Sequence, residues 1–364
     1  MEERGMNIVT SERDSERDEF AERCFESALG YFDILSAYVG LRLGLYRSLA
    51  DRGPATSIEL AERAAVDERY AREWLEQQAT RGILLADVSV DPPRFSLPPG
   101  HADVLLDRDS LSYLGASVGQ LMSLRGVVDQ VMEAFRTGAG VPYEAYGLEG
   151  VEGQGDTNRS LFLTTLPNEW LPSIEDVHAR LTSAPARVAD VGCGTGWSSI
   201  AIARAYPLVA VEGFDPDEAS VATARRNAEE NGVADRVRFH RMDAADLQGP
   251  FDFAAAFECI HDMPRPTEVL RAVRGALTDA GAMLVVDERT HDTFTGEPDA
   301  LEAYHYGWSL FDCLPTGMFE QPSAGTGAVM RPSTLERYAR DAGFDRFEVL
   351  SIEHDVFRLY LLRP

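Results

Sequence analysis

A short strand–turn–helix segment at residues 186–207, ARVADVGCGTGWSSIAIARAYP, constrains the fold more than any other part of the sequence. The apolar run Val188–Val191 predicts a buried strand, and the turn after it contains Gly192, Gly194 and Gly196. Glycines let the backbone approach a ligand closely, and the first turn of the following helix offers free N–H groups. The segment therefore predicts a nucleotide site at the end of a strand.

The spacing of the glycines favours one class of nucleotide ligand over another. A dinucleotide fingerprint has the spacing GxGxxG, and its third glycine allows the helix to pack closely on the strand. Here the spacing is GxGxG, and Trp197 stands where that third glycine would be. The sequence therefore disfavours NAD and FAD.

Acidic residues end the next two predicted strands. VAVEGFD ends at Asp215, 25 residues after Asp190, and RVRFHRMD ends at Asp243. A carboxylate at the end of the second strand is placed to accept hydrogen bonds from both ribose hydroxyls, although Asp215 could instead cap the following helix. Asp243 and the N–H of Ala244 could read an adenine edge.

Two further strands carry polar residues at the same predicted edge. FDFAAAFECIHDM runs into Glu258, His261 and Asp262, and AMLVVDERT ends in Asp287 and Glu288. The chain closes with two strands joined by a short turn, which is typical of an antiparallel edge hairpin. Alternating strands and helices predict an α/β fold with a parallel sheet, in which ligands bind at the carboxyl ends of the strands.

The first third of the chain predicts a winged helix. TSIELAERAAV and DERYAREWLEQQATRG form a helix-turn-helix pattern, and two short alternating segments after it form a wing. The second helix has no excess of basic residues, the chain contains no lysine, and its net charge is −26. Such a charge repels phosphate backbones and anionic membranes, so nucleic acid is an unfavoured partner.

Composition and residue pattern predict the remaining organisation. Residues 105–184 are mostly helical, with a glycine-rich loop at 138–155 that could cover a site. No run approaches the roughly 20 apolar residues of a membrane span, the N-terminus lacks a secretory signal, and four scattered cysteines predict free thiols in the cytoplasm. The predicted divisions are a disordered acidic tail at 1–18, a winged-helix dimerisation domain at 19–104, a helical linker or substrate cover at 105–184, and a nucleotide-binding domain at 185–364.

The sequence resembles the class I S-adenosylmethionine-dependent methyltransferases in DVGCGTG at 190–196, in Asp215 closing VEGFD, and in Asp243 of RMDA. The resemblance implies a seven-stranded Rossmann-like sheet, parallel except for its antiparallel edge hairpin, preceded by a helical, winged-helix domain. The winged helix is similar to the dimerisation domain of small-molecule O-methyltransferases, which implies a homodimer. FECIHDM, LFDCLPTGM, QPSAGTGAVMRP and IEHD resemble a bacterial subgroup without an assigned substrate.

The resemblance also implies the site residues. His261 matches the catalytic base, with Asp262 beside it and Glu288 as a downstream acid that could orient it, while Met263 stands where the family usually has tryptophan. The residues expected to bind S-adenosylmethionine are Asp190, Gly192, Cys193, Gly194, Gly196, Asp215, Pro216, Asp243, Ala244, Phe257 and Glu258. The expected reaction is methyl transfer to a small-molecule hydroxyl.

Two other functions stay open at this stage. His261, Asp262 and His305 could instead bind a metal in a C-methyltransferase acting on a 2-oxo acid, since histidine and carboxylate are suitable ligands for iron or zinc. A winged helix joined to a nucleotide-sensing domain could also form a transcriptional regulator.

Overall fold

The computed structural model describes residues 12–364, which divide between Asp107 and Arg108 into two compact units. The helices of the first unit are α1 (Glu12–Arg42), α2 (Leu45–Arg52), α3 (Ser57–Ala64), α4 (Glu68–Thr80) and α5 (Pro99–Leu105). Two short strands, β1 (Leu85–Asp87) and β2 (Arg94–Ser96), pair antiparallel. These elements confirm the winged helix predicted from the sequence.

Local side chains explain where the two helices of the helix-turn-helix begin. The Thr56 hydroxyl accepts a hydrogen bond from the Glu59 backbone N–H, and the Glu59 carboxylate accepts one from the Thr56 N–H, which is a capping box. The Asp67 carboxylate caps α4 by accepting from the N–H groups of Arg69 and Tyr70. Arg69 also pairs with Glu73 on α4, so its guanidinium is already neutralised and is a poor candidate for a phosphate contact.

Helix α1 differs from the disordered tail predicted for residues 1–18. Residues 12–18 form its first turns, where Arg17 pairs with Asp14 and Asp18 and the Ser15 hydroxyl donates to Glu19. The pairs that are three or four residues apart, Arg17 with Asp14 and Ser15 with Glu19, stabilise a helix despite its high charge. Residues 1–11 of the predicted tail lie outside the described residues.

The second unit contains all the remaining elements. Its helices are α6 (Gly115–Ser123), α7 (Val128–Thr137), α8 (Gly147–Thr165), α9 (Leu171–Ser173), α10 (Glu175–Ser183), α11 (Trp197–Ala205), α12 (Glu218–Glu230), α13 (Pro266–Ala276), α14 (Ala300–Trp308), α15 (Leu314–Phe319) and α16 (Pro332–Ala342). One-turn 3₁₀ helices cover 124–126, 143–146 and 244–246, and π-helical turns cover 166–170 and 309–313.

The glycine-rich loop predicted at 138–155 is largely wrong, because residues 147–165 form the 19-residue helix α8. Gly150, Gly153 and Gly155 allow close packing instead of a turn, and the Cβ of a larger residue at Gly155 would lie 1.9 Å from the Thr195 Oγ1. A Cβ at Gly150 would lie 2.9 Å from the Tyr146 Cβ, and one at Gly153 would lie 3.0 Å from the Gln120 Cβ on α6. Glycine therefore serves here as the smallest residue at a helix contact, which outweighs its low helix propensity.

The seven strands of the second unit form one sheet, as predicted. They are β3 (Ala186–Val191), β4 (Val209–Asp215), β5 (Val237–Arg241), β6 (Phe251–Phe257), β7 (Leu277–Glu288), β8 (Arg346–Val349) and β9 (Phe357–Arg363). Their order is β5-β4-β3-β6-β7-β9-β8, and only the pairings of β9 with its two neighbours are antiparallel. Strand order reverses at β3, which is where open α/β sheets place their ligands.

Alternating residues of the central strands bury both faces of this sheet. Val188 and Leu284 belong to the core on one face, which also includes Ile200 of α11, whereas Ala189 and Val285 belong to the core on the other. Because helices cover both faces, the strands are almost continuously apolar. The first polar side chains that can reach a ligand therefore occur where the strands end.

Candidate active site

The glycine turn after β3 has the left-handed backbone that its sequence predicts. Gly192, Gly194 and Gly196 have φ angles of 65°, 49° and 82°. A Cβ at Gly196 would lie 2.6 Å from the ring of Phe239, so both backbone angle and space require glycine there. The turn is held to β4 by hydrogen bonds from the N–H groups of Gly192 and Cys193 to the Phe214 carbonyl.

Asp215 lies at the end of β4 and faces the turn. Its two carboxylate oxygens accept hydrogen bonds from the N–H groups of Gly194 and Asp217, each at 2.9 Å. Burial raises the pKa of Asp215 to about 6, although these two hydrogen bonds favour the charged form. The capping residue of α12 is Asp217, whose carboxylate accepts from the Ser220 N–H, so Asp215 is free of that role.

Asp243 begins the next turn along the same edge of the sheet. One of its oxygens accepts from the Ala245 N–H, and the other accepts from the Arg265 guanidinium at 2.9 Å. Sequence reasoning missed Arg265, which follows the predicted base by four residues. It fixes the orientation of the Asp243 carboxylate beside Ala244.

Asp190 occupies a different environment from the other predicted cofactor residues. Its side chain is fully buried and accepts hydrogen bonds from the hydroxyls of Ser198 and Ser199, at 2.6 and 2.5 Å. Burial raises the pKa of Asp190 to about 6. Asp190 thus joins β3 to the first turn of α11, and it does not line the cavity at the strand ends.

A cavity of about 1040 Å³ opens at the carboxyl ends of these strands. The predicted site residues that line it are Gly192, Cys193, Asp215, Pro216, Asp243, Ala244, Phe257, Glu258, His261, Asp262 and Glu288. Gly194 and Gly196 shape the turn behind it. A cavity of this size can hold a nucleoside-sized donor and a small acceptor together.

The wall residues fit S-adenosylmethionine. The Asp215 carboxylate lies in the wall between the glycine turn and Pro216, where it can accept from ribose hydroxyls. Asp243 and Ala244 lie in the wall at the next strand end. The first turn of α11 adds Trp197 and Ser198 to the same wall.

His261 lies in this cavity, in contact with two buried carboxylates. Its Nδ1 is 2.8 Å from the Asp287 carboxylate and 3.0 Å from the Glu288 carboxylate. Both acids stand at the end of β7, next to the end of β6 in the sheet. Sequence reasoning placed Glu288 near His261 and noted Asp287 without giving it a role. The hydrogen bond to Asp287 has the better geometry, because the Glu288 oxygen nearest His261 lacks an aligned hydrogen bond.

These carboxylates set the protonation of His261. Burial alone lowers the pKa of an imidazole, but the negative charges of Glu288 and Asp287 raise the pKa of His261 well above its ordinary value. The neighbouring acid Asp262 lines the cavity and has no hydrogen bond to His261 among those that the structure contains. Burial raises the pKa of Asp262 to about 7.

Phe257 and Glu258 line the cavity where β6 ends. The Phe257 ring packs against Phe162 of α8, with ring centroids 5.1 Å apart. Glu258 has a φ of 51°, and its N–H donates to the Val286 carbonyl. This left-handed backbone is unusual for glutamate and marks a constrained position at a strand end. Asn158 of α8 lines the same cavity, and its side-chain amide favours the charged form of Glu258.

The predicted metal set of His261, Asp262 and His305 is not a compact group of ligands in the structure. Among the described residues, the one group of His, Cys, Asp or Glu with ligand atoms within 4.8 Å of one another is His261, Asp287 and Glu288. The hydrogen bond of Nδ1 with Asp287 and the ion pair of Nδ1 with Glu288 explain that group. His305 lines the same cavity from α14, with its Nε2 buried and without a partner.

Further wall residues come from the 3₁₀ turn at 143–146, α8, α14, the π-helical turn at 309–313 and α15: Tyr143, Asn158, Tyr304, His305, Trp308, Asp312, Cys313 and Thr316. The sequence suggested the cover at 105–184, His305 as a metal ligand, and Tyr304 and Trp308 as pocket aromatics, but it did not suggest Asp312, Cys313 or Thr316. Cys313 interacts electrostatically with His261, and burial raises the pKa of its thiol to about 12. No short motif marks Asp312, Cys313 and Thr316 as site residues, because three-dimensional packing brings them to the strand ends.

Comparisons with known proteins agree with this geometry. A family model described as a methyltransferase domain matches residues 162–349, and a model described as an Rv2258c-like winged HTH domain matches residues 33–107. A ubiquinone biosynthesis O-methyltransferase from Xanthomonas axonopodis pv. citri (strain 306) is 29% identical over 188 residues. That alignment covers 51% of this chain and 73% of the relative.

Solved structures share the fold over nearly the whole chain. The mitomycin 7-O-methyltransferase MmcR aligns with a TM-score of 0.71 and 19% identity, covering 96% of this chain and 99% of its own. Human N-acetylserotonin methyltransferase in complex with SAM aligns with a TM-score of 0.69 and 16% identity, covering 94% and 97%. The methyltransferase model spans more than half of the chain, and the chain therefore belongs to the methyltransferase family, as an enzyme that uses S-adenosylmethionine.

Proposed function

We propose that the protein transfers the methyl group of S-adenosylmethionine to a hydroxyl oxygen of a small molecule, with His261 as the general base. The observation that carries this proposal is the buried contact of His261 Nδ1 with Asp287 and Glu288 inside the cavity. This contact keeps the proton on Nδ1, so the neutral ring has its free lone pair on Nε2, and Nε2 can accept a substrate proton.

The donor supplies a methyl group on a positively charged sulfur, which makes that carbon electrophilic. The wall residues Asp215, Asp243 and Ala244 bind and orient the adenosine part, and the glycine turn lets the backbone come close to it. Holding the acceptor oxygen in line with the methyl carbon lowers the barrier by several kcal/mol. As the O–C bond forms and the C–S bond breaks, the electron pair of the latter returns to sulfur and the hydroxyl proton goes to His261 Nε2.

The test is a labelled-methyl assay with a panel of small hydroxylated acceptors. We expect His261→Gln to lower kcat by about 10²–10⁴-fold, the usual contribution of a positioned base, while calorimetry gives an unchanged affinity for S-adenosylhomocysteine. His291→Ala is the matched control, because His291 is exposed and its ring contacts Asp299 at the surface. Full activity of His261→Gln would contradict the assignment of the base.

We also propose that the protein is a homodimer joined through α1. Phe20, Phe25, Tyr31 and Phe32 of this helix are each more than half exposed. At 100° per residue they fall within an arc of roughly 140° on one side of the helix. These four residues form an exposed aromatic stripe on α1. The family resemblance implies that the same stripe of a second chain covers it, because isologous dimers pair one surface with itself.

Sedimentation equilibrium tests the dimer. We expect the mass of two chains for the unmodified protein and the mass of one chain for a variant carrying Phe25→Ser and Phe32→Ser. Tyr70→Ser is the control, since Tyr70 is 79% exposed on α4, away from the stripe. A single-chain mass for the unmodified protein would refute the proposal.

The compartment that we propose is the cytoplasm. The four cysteines, Cys24, Cys193, Cys259 and Cys313, are free thiols, which suits a reducing environment. Separately, none of the helices in the described part of the chain is both long and apolar enough to span a bilayer.

A further inference from the structure

The cavity wall is strongly acidic. Ten carboxylate side chains and two guanidinium groups line it. Both guanidinium groups are already paired: Arg241 with Glu218 at 2.7 Å, and Arg265 with Asp243 at 2.9 Å. The negative charge that remains is therefore unopposed by any arginine of the wall.

Four of these carboxylates surround the proposed base. Glu258, Asp262, Glu288 and Asp312, which we call the acidic cluster, each interact electrostatically with His261. Among the ion pairs of the described residues, only the pair of Glu288 with His261 involves a member of the cluster. A single imidazolium cannot neutralise four carboxylates.

The protonation of the cluster reflects this imbalance. Burial and the neighbouring charge of Glu288 raise the pKa of Glu258 to about 8, and burial raises the pKa of Asp312 to about 6. Groups that hold protons for this reason release them when a cation enters. The cluster is therefore poised to bind positive charge.

A second observation points to a bound ligand at the same place. His305 is 2% exposed, lies in the cavity wall, and its Nε2 has no hydrogen-bond partner. Burial lowers the pKa of His305, so its ring is neutral and one nitrogen offers a lone pair. An unpaired polar atom inside a protein is costly, and a ligand N–H group in the cavity would satisfy it.

We propose that the methyl acceptor carries a protonated amine, which binds between the acidic cluster and His305 while the acceptor hydroxyl faces His261. This proposal rests on the proposed function. An ammonium group offers three N–H donors, and carboxylates of the cluster and the His305 Nε2 supply acceptors for them. Tyr304 and Trp308 also line the cavity, and the Tyr304 ring lies 6.1 Å from the His305 ring. Aromatic faces also attract cations.

The experiment compares three catechols of similar shape and different charge. Dopamine is cationic, 4-ethylcatechol is neutral and 3,4-dihydroxyphenylacetate is anionic. Each is titrated calorimetrically into the full-length protein saturated with S-adenosylhomocysteine. We expect dopamine to bind at least about tenfold more tightly than 4-ethylcatechol, since charge-assisted hydrogen bonds are the stronger ones. The anion should bind most weakly.

Matched variants locate the effect. Asp312→Asn should weaken dopamine binding about tenfold and leave 4-ethylcatechol binding unchanged, which also shows that the variant is folded. Glu348→Gln removes one charge from an exposed position on β8 and should change neither affinity.

The two proposals fail in different ways. If S-adenosylhomocysteine binds but dopamine binds no more tightly than its neutral analogue, the amine proposal is overturned and the donor site stands; absence of binding by all three probes has the same meaning. If the protein binds no S-adenosylhomocysteine, the proposed function itself is wrong.

Discussion

Replacing Glu288 by glutamine should shift the pH profile of methyl transfer. The Glu288 carboxylate lies 3.0 Å from His261 Nδ1, and both side chains are buried. Its negative charge stabilises the imidazolium and so raises the pKa of His261. A protonated His261 cannot accept the substrate proton, so activity should rise with pH as His261 loses its proton. Without the charge of Glu288, that rise should occur at lower pH.

The structure sets the size of the shift. Two unit charges 3.0 Å apart interact by roughly 5 kcal/mol at an effective dielectric constant of about 20, which corresponds to about four pKa units as a ceiling. The real effect is smaller, because burial raises the pKa of Glu288 itself to about 7, so it is only partly ionised at neutral pH. Asp287 also remains in contact with His261. We therefore expect the acid limb of the profile, which is the rise of activity as His261 loses its proton, to move to lower pH by about one to three units.

The assay is kcat/KM against pH with a labelled donor and an acceptor found by the screen. Glu218→Gln is a suitable control, because Glu218 also lines the cavity but pairs with Arg241, and its removal should leave the limb in place. An acid limb that stays where it is in Glu288→Gln, or moves to higher pH, would refute the electrostatic role of Glu288.

Two further predictions concern donor binding and packing. Affinity for S-adenosylmethionine should fall as the pH drops below about 6, where Asp215 becomes protonated. Asp215→Asn should lower the affinity by about 10–100-fold and remove most of that pH dependence. Calorimetry at several pH values measures both effects. Gly155→Ala should destabilise the fold by about 1–3 kcal/mol in thermal unfolding, because a Cβ there would lie 1.9 Å from the Thr195 Oγ1, whereas Gly119→Ala should be tolerated because its nearest contact is an ordinary 3.6 Å.

The sequence was most informative where one residue type is required by backbone geometry. Gly192 and Gly196 adopt positive φ angles, and only a turn of that kind allows β3 to lead directly into α11. Asp215 could be placed because parallel strands end at one edge of the sheet, so the end of β4 must lie beside that turn. The sheet and the donor half of the cavity follow from these local rules.

The acceptor half was harder to predict because contacts between distant segments determine it. The glycines of α8 have the composition of a loop, and only their contacts with α6 and with the turn at Thr195 explain a helix. Asp190 was also misleading in the sequence. Its motif suggests a ligand contact, yet its carboxylate accepts hydrogen bonds from Ser198 and Ser199. A motif identifies a position in the sheet, but the partner of each side chain depends on what packs above it.

The placement of Asp287 and Glu288 explains how one strand end can serve two roles. Consecutive residues of a strand point to opposite faces of the sheet, yet both carboxylates reach His261 because β7 ends there and the chain turns away. The Glu288 N–H donates to the Asp287 carboxylate at 3.0 Å, which fixes Asp287 as the hydrogen-bond partner of Nδ1. Glu288 contributes its negative charge without an aligned hydrogen bond to Nδ1. It also lines the cavity, which Asp287 does not. Asp287 thus orients the base and shares with Glu288 the charge that raises the pKa of His261. Asp287→Asn should therefore lower kcat and also move the acid limb to lower pH, whereas Glu288→Gln should move the limb with a smaller loss of kcat.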